Sequence, residues 1–315
     1  MKNIKTEIIF LIITVFAGLV GFVTNTSSAK SNGNNRFAYP TPPPPPTPYP
    51  PISYPAPSVI WNTFEGSSGV DYGSDIDADF NGNIYVTGTS NNANWDGSPI
   101  NPWTGADDAF VAKLNQEGVL QWYTFLGGTG SDSGTSIFVD NDGTIFITGK
   151  SDSSWGSNPV RDFQSNNDAF VAKLNSNGDL QWHTFIGGTA DDQGEDVLYA
   201  GNGILYLTGT SSASWGGGAD PNPTRAYTNG IGSDAFVAKL SSTGVLEWHT
   251  FLGGADSDTA AKISFRWGLY AIGQSHATWG TPVRAFGGTS DVYVAELNSS
   301  SGALQWNTFL GGSNS

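Results

Sequence analysis

The chain has 315 residues, with 13 Lys and Arg against 28 Asp and Glu, and a formal net charge of −15. This balance argues against nucleic acid as a partner, because affinity for nucleic acid comes mainly from Lys and Arg that neutralise phosphates. The chain has no Cys, which excludes disulfides and thiol chemistry. Its 41 Gly and 13% aromatic residues are typical of a protein built from many short strands and tight turns.

Residues 1–29 have the features of a secretory signal peptide. Lys2 and Lys5 precede an apolar run from Ile8 to Val23, and residues 27–29 supply small side chains for cleavage. The run has 16 residues, which is short for a membrane span. We therefore expect export, with an extracellular or cell-envelope location and no membrane span in the mature protein. An uncleaved membrane anchor is the alternative.

Residues 30–58 form a second region, rich in Pro. Eleven of the 18 residues from Pro40 to Pro57 are Pro. Such a segment favours extended polyproline II at about 3.1 Å per residue. We expect a disordered, semi-rigid spacer that holds the following domain away from a cell envelope.

The region 59–315 contains one phrase, W-x-T-F, five times at steps of 61, 60, 66 and 58 residues. The copies are Trp61–Phe64, Trp122–Phe125, Trp182–Phe185, Trp248–Phe251 and Trp306–Phe309. A fixed period of this kind indicates a repeat architecture. The repeats span about 61–121, 122–181, 182–247 and 248–305, followed by a final partial strand.

Each repeat is predicted to hold four strands, termed a to d, and no helix. Strand a is a weak run such as Ile76–Phe80, strand b the phrase I-Y-V-T-G-T-S, strand c the phrase D-A-F-V-A-K-L, and strand d the W-x-T-F phrase. These runs are β-branched, aromatic or alternating, and Gly, Asn, Asp and Ser bound them.

The same phrases resemble the hallmark phrases of SBBP-type β-propeller repeat proteins of bacterial surfaces. The resemblance covers about residues 59–315 and rests on D-A-F-V-A-K-L-N, G-x-L-Q-W-x-T-F-L-G-G and G-x-I-Y-V-T-G-T-S in fixed order. It implies an all-β β-propeller of four-stranded antiparallel blades around a central channel. The four repeats either close into a four-blade ring, which we favour, or form part of a larger propeller.

The loops are the expected location of function on this scaffold. The a–b and c–d links are tight turns, whereas the b–c links are about 16–23 residues long. Antiparallel connections alternate between the two ends of a sheet, which places the long b–c loops and the d–a loops at one end. We expect a partner to dock there.

An Asp follows the Phe of strand d by seven residues in every repeat and could bind a cation. Four such carboxylates at the channel mouth would suit Ca²⁺, which prefers several oxygen ligands. The alternative is that each Asp caps backbone N–H groups in its own Gly-rich turn. The set is Asp71, Asp132, Asp192 and Asp258. No other cofactor is expected.

Two further sets in the b–c loops are candidate ligand-binding residues, because Trp and Arg are enriched at binding hot spots. The alternative is that the Trp residues pack in or between blades and the Arg residues pair with nearby Asp. The sets are Trp95, Trp155, Trp215 and Trp279, and Arg161, Arg225 and Arg284, with Asn101 at the Arg place in repeat 1.

The sequence gives little support for catalysis. His183 and His249 occupy the variable place of W-x-T-F, where other repeats carry Tyr or Asn. No nucleophile–base or paired-carboxylate pattern is evident. We therefore predict a non-enzymatic binding or structural module whose partner is an extracellular protein or glycan. A lyase or hydrolase acting on an extracellular glycan is the alternative.

Overall fold

The computed structural model describes residues 62–63, 65–93, 95–228, 230 and 232–312. The predicted signal peptide and Pro-rich spacer lie outside these residues, as do Trp61 and Phe64 of the first W-x-T-F phrase. Asn62 and Thr63, between them, are not in a strand.

The described residues form sixteen strands and no helix, in four separate antiparallel sheets of four consecutive strands each. Blade 1 comprises β1 (Asp71–Ala78), β2 (Ile84–Ser90), β3 (Asp108–Leu114) and β4 (Leu120–Leu126). Blade 2 comprises β5 (Asp132–Val139), β6 (Ile145–Ser151), β7 (Asp168–Leu174) and β8 (Leu180–Ile186). Blade 3 comprises β9 (Asp192–Gly201), β10 (Ile204–Ser211), β11 (Asp234–Ser241) and β12 (Leu246–Leu252). Blade 4 comprises β13 (Asp258–Phe265), β14 (Leu269–Ser275), β15 (Asp291–Leu297) and β16 (Leu304–Leu310).

The four-strand repeat and the all-β class are confirmed. Strand a differs from its prediction, because it begins several residues earlier, at the Asp of the proposed cation set. Its first half is rich in Gly, Ser and Thr, which weakens the strand signal.

The Gly of the T-G phrase is required by close contact between strands a and b. A Cβ atom at Gly88, Gly149, Gly209 or Gly273 would lie 1.7–2.2 Å from a carbonyl oxygen of strand a. In all four blades, strand a is irregular just after the residue that pairs with this Gly. The Gly therefore recurs because only a residue without a side chain fits there.

Neighbouring blades pack face to face through strand a. In the core between blades 1 and 2, Ile137 and Val139 of β5 pack with Tyr85, Val111 and Leu126 of blade 1. The same contact recurs between blades 2 and 3 and between blades 3 and 4. Each blade therefore depends on its neighbours to bury its faces, as in other repeat proteins.

The ring is not closed, and the closed four-blade arrangement that we favoured from the sequence is wrong. Blades 4 and 1 approach at the axis, where Lys262 Nζ lies 3.9 Å from Asp75 Oδ2. Farther out, Ile272 and Leu310 of blade 4 remain 39% and 52% exposed. The angle between packed blades decides closure, and a one-dimensional repeat pattern does not encode that angle directly.

The long b–c loops meet the d–a loops at one end of the blades, as the strand parity predicts. Thr104 Oγ1 donates to Gly128 O at 3.1 Å, and Ala106 N donates to Gly130 O at 3.0 Å. The middle of each b–c loop, however, runs along the outer edge of strand d. Its backbone bonds there are Ile100 N to Tyr123 O, Val160 N to His183 O, Thr224 N to His249 O and Val283 N to Asn307 O. The loops thereby cover edges that would otherwise be open to pairing with other chains.

The close contact at the T-G Gly generates a stability prediction. In Gly149→Ala the new Cβ would lie 1.8 Å from Ser133 O and 3.0 Å from Phe170 Cε1, so strands β5 and β6 must separate. We expect a loss of about 3 kcal/mol or more in the free energy of unfolding, measured by denaturant titration. Gly73→Ala is the control, since its Cβ would meet nothing closer than Val86 Cγ1 at 4.0 Å. Equal stability of the two variants would contradict the role assigned to Gly149.

Candidate functional site

The four b–c loop Trp residues lie inside their blades. Each of Trp95, Trp155, Trp215 and Trp279 is 5% exposed or less. In each blade the indole packs against aromatic rings of strands c and d, as Trp215 does with Phe236 and Phe251 at 5.5 and 5.7 Å between centroids. These rings offer almost no surface to a partner, and their positions agree with the packing alternative.

The variable residue of W-x-T-F is a partner of this Trp. His183 and His249 stack on Trp155 and Trp215, with ring centroids 4.3 and 3.8 Å apart. Their Nε2 atoms donate to the backbone carbonyls of the same Trp residues at 2.8 and 3.0 Å. Tyr123 Oη and Asn307 Nδ2 donate to the equivalent carbonyls, of Trp95 and Trp279, at 3.4 and 2.9 Å. The position thus accepts Tyr, His or Asn because each supplies a hydrogen-bond donor.

The buried imidazoles are kept neutral by this environment. Burial lowers the pKa of His249 to about 4, and burial also lowers the pKa of His183. A neutral imidazole that donates from Nε2 matches the carbonyl it faces. These His residues therefore serve the blade core.

The b–c loop Arg residues fasten the loop to the end of strand d. Arg225 donates from Nη1 to Phe251 O at 2.8 Å and from Nη2 to Gly253 O at 2.6 Å. Arg161 and Arg284 bond the equivalent carbonyls of their own blades.

Two of the Arg residues also reach the next blade. Arg161 Nε donates to Asp220 Oδ2 of blade 3 at 2.9 Å, and both side chains are largely shielded from water. Asp220 supplies this inter-blade ion pair from Gly216–Pro223 (G-G-G-A-D-P-N-P), the stretch that makes the b–c loop of repeat 3 longer than the others. The Arg225 guanidinium lies 5.4 Å from the ring of Trp279, within reach of a cation–π contact. Arg284 is the exposed member of the set.

The aspartates of the proposed cation set each cap their own Gly-rich turn. The carboxylate accepts a backbone N–H from the residue four positions earlier in every repeat. The bonds are Ser67 N to Asp71, Gly128 N to Asp132, Gly188 N to Asp192 and Gly254 N to Asp258, at 2.7–2.8 Å. Among the described residues no group of three or more His, Asp or Glu side chains is arranged to hold a metal ion.

A second set of capping aspartates, which was not among the candidates predicted from the sequence, stands at the start of strand c. These carboxylates accept backbone N–H groups from the end of the b–c loop: Thr104 to Asp108, Gln164 to Asp168, Thr228 to Asp234 and Gly287 to Asp291, at 2.7–2.8 Å. The available signal was the Asp that begins every D-A-F phrase.

The two sets meet between neighbouring blades. A Cβ atom at Gly127 would lie 2.7 Å from Asp132 Oδ2 and 2.8 Å from Asp108 Oδ1, so this Gly separates two carboxylates. Gly253 lies in the same way between Asp234 and Asp258. The first Gly of the L-G-G phrase is therefore needed to admit the pair.

Burial raises the pKa of the carboxyl groups of Asp108, Asp132, Asp168, Asp192, Asp234 and Asp258, and a neighbouring carboxylate adds to the effect at Asp132, Asp192 and Asp234. At Asp71 burial acts in the same direction, but hydrogen bonds from Ser90, Ser67 and Trp95 outweigh it and lower the pKa. The pKa is about 6 for Asp132, Asp168 and Asp234 and about 7 for Asp192. Because the same shift recurs from blade to blade, it follows from the repeated packing.

A polar cavity of about 330 Å³ lies at the loop end, between blades 2, 3 and 4. Its lining comes from strands a and b and from the b–c loops. The strand residues are Lys150, Gln193, Glu195 and Thr259, and the loop residues are Asn167, Ser212 and Ser233. Gln193 Nε2 donates to Glu195 Oε1 at 2.9 Å. Burial raises the pKa of Glu195, while Lys150 and Lys262 act in the opposite direction.

The cavity residues differ between repeats. The place of Lys150 is taken by Thr89, Thr210 and Gln274, and the place of Glu195 by Ser74, Thr135 and Ala261. Variation of this kind distinguishes most of the cavity lining from the Trp, Arg and Asp sets, which recur; Asp192 is the lining residue that belongs to a recurring set.

Comparison with known families agrees with this architecture. A family model described as SBBP, beta-propeller repeat, matches residues 64–95, which include strands β1 and β2. Residues 64–95 therefore carry an SBBP-type β-propeller repeat.

The propeller is also similar to a protein named "Regulatory protein FlaEY" from Caulobacter vibrioides. The two are 27% identical over 173 residues, which cover 52% of this chain and 17% of that protein. The alignment therefore spans a minor part of the relative. No described segment of the propeller forms a helix long and apolar enough to cross a bilayer.

The raised pKa of Asp192 generates a pH prediction. The pKa is about 7 in the folded protein and near 3.8 in an unfolded chain, so the stability gained from protonation is complete below pH 3.8 and is lost as pH rises through 7. Asn at this position stays neutral at every pH. We expect the melting temperature of Asp192→Asn, relative to the parent, to rise by several degrees between pH 4 and pH 8.

Calorimetry of both proteins at each pH checks this difference. Titration of other groups, including His249 with its opposite sign, largely cancels in the comparison. Asp179→Asn is the control, because Asp179 lies in an exposed turn. A pH-independent difference for Asp192→Asn would show that Asp192 ionises normally in the folded protein.

Proposed function

We propose that the propeller is an exported, non-enzymatic binding module that engages its partner at the polar cavity of the loop end. The observation that carries the proposal is that recurring positions and variable positions of the repeat have different roles. The Trp, Arg and Asp residues that recur in every blade hold the scaffold, whereas most of the residues that line the cavity, Asp192 excepted, differ between blades. Loops and strand ends on a rigid scaffold commonly carry binding function.

The chemistry of the cavity favours a polar partner. Lys150 supplies a cation, Glu195 a carboxylate, and Gln193 and Asn167 supply amides that both donate and accept hydrogen bonds. Asp191, Asp192, Thr210 and Thr259 also line the cavity, and the hydroxyl oxygen of Thr210 is itself buried. An extracellular glycan or a polar segment of an extracellular protein fits this set.

Several features support a non-enzymatic role and an exported location. The buried His residues are engaged by backbone carbonyls, and the recurring aspartates cap turns. The relative from Caulobacter vibrioides is named a regulatory protein. The apolar segment from Ile8 to Val23, with small residues after it, supports export.

One observation favours a second function, a glycan-active enzyme. Asp192 lines the cavity, and burial raises its pKa to about 7, a value suited to a general acid. Asp132 occupies the same place in blade 2 with a similar shift. The recurrence favours a structural origin, and turnover assays on ligands found by binding decide between the two functions.

The test is a glycan and polar-peptide array, followed by affinity measurements on the best ligand. Truncating a hot-spot side chain typically costs about 2 kcal/mol or more, roughly thirtyfold in affinity. We expect Glu195→Ala and Lys150→Ala to weaken binding at least about tenfold. Glu247→Ala is the matched control, since Glu247 pairs with Lys239 near the opposite end of blade 3.

Two results would overturn the proposal. Unchanged affinity in both cavity variants would place the binding surface elsewhere. Turnover of a bound glycan that is lost in Asp192→Asn would establish the enzymatic alternative.

A further inference from the structure

Both end blades present apolar faces that are more exposed than the equivalent positions inside the propeller: Ile272, Val292, Leu310 and Ile76 are exposed, and Ile84 and Val86 are half-buried. We define the blade 4 end face by Ile272, Val292 and Leu310, and the blade 1 end face by Ile76, Ile84 and Val86. The two faces are opposite sides of the repeating blade: the blade 4 end face would contact a following blade, and the blade 1 end face a preceding one.

The blade 4 end face is more apolar than its internal counterparts. Ile272 occupies the place of Thr87, Thr148 and Thr208, and Val292 occupies the place of Ala109, Ala169 and Ala235, all of which are fully buried. Leu310 is 52% exposed, whereas the equivalent residues Leu126, Ile186 and Leu252 are buried. An apolar groove of about 560 Å³ lies on this face.

The blade 1 end face shows the complementary pattern. Ile76 is 64% exposed, while its equivalents in the other blades, Ile137, Val197 and Ile263, are buried against the preceding blade. Ile76, Ile84 and Val86 line a groove of about 240 Å³ with Phe110.

The internal interfaces identify what each end face fits. Between blades 3 and 4, Ala235 and Leu252 of one blade pack with Ile263 and Ala271 of the next. These four residues occupy the places of Val292, Leu310, Ile76 and Val86 on the two end faces. The blade 4 end face therefore matches the blade 1 end face by the same contact that holds the propeller together.

This match is not realised within one copy of the chain. The contact between Lys262 and Asp75 at the axis involves a 59% exposed Lys side chain, and exposed ion pairs contribute little to stability. In one copy, the intervening blades fix the positions of the two faces relative to each other. A second copy carries the same two faces and can orient freely, so that one of its faces packs on the complementary face of the first copy.

We propose that copies of the chain associate head to tail, with the blade 4 end face of one copy packed on the blade 1 end face of another. Such a heterologous contact uses two different surfaces, so it produces a ring or an open chain of copies. On the blade 4 side the contact covers the apolar groove of about 560 Å³, and on the blade 1 side the groove of about 240 Å³.

Analytical ultracentrifugation of the exported protein over about a hundredfold range of concentration tests the proposal. We expect dimers or larger species that increase with concentration. Ile272→Asp and Ile76→Asp should each weaken self-association at least about tenfold, because each places a charge in one of the two faces. Val245→Asp is the control, since Val245 is exposed in a c–d turn away from both faces.

Mixing the two variants gives the decisive result. Ile272→Asp retains an intact blade 1 end face and Ile76→Asp an intact blade 4 end face, so the mixture should form a one-to-one dimer that neither forms alone. A parent protein that is monomeric at every concentration would overturn the proposal. A lower melting temperature in Leu310→Asp without any change in the mass of the sedimenting species would also overturn it, because it would indicate closure within one chain. Self-association of Ile76→Asp at parental strength would indicate a symmetric contact and would also overturn it.

Discussion

The structure depends on the contact between a loop Trp and a donor side chain of strand d. The Trp of each b–c loop lies inside the blade, where its indole packs on two aromatic rings. The backbone carbonyl of the same Trp accepts a hydrogen bond from strand d, donated by Tyr123, His183, His249 or Asn307. This contact fixes the path of a loop of more than a dozen residues. The loop can then run along the edge of strand d and present its Arg and Asp residues to the turns that join one blade to the next.

The same contact separates structural residues from residues available for function. Trp, Arg and Asp at equivalent places are engaged by backbone groups or by neighbouring rings in blade after blade. The residues that vary between repeats lie at the loop end of strands a and b, as Lys150 and Glu195 do, and on the two end faces. The proposed binding site and the proposed contact between copies both lie where the repeat is not constrained by its own packing.

Much of the fold follows from the sequence because strands b, c and d are regular, apolar and repeated in order. The start of strand a was missed, since its Gly, Ser and Asp residues resemble a loop until strand b pairs with them. The sequence does not distinguish a buried Trp215 from an exposed one, because both are compatible with a polar, Gly-rich loop. Pairing of Arg161 with Asp220, and of Asp108 with Asp132, depends on the angle between blades and is therefore visible only in three dimensions.

The free energy of unfolding of Trp215→Ala tests most directly the claim that the recurring residues hold the scaffold. Trp267→Ala is the matched control, because Trp267 is 91% exposed. Removing a buried Trp typically costs about 3–5 kcal/mol, and we expect a loss of that size for Trp215→Ala and little change for Trp267→Ala. A loss below about 1 kcal/mol for Trp215→Ala, within the range of exposed positions, would contradict the claim and return the loop Trp residues to the list of binding candidates.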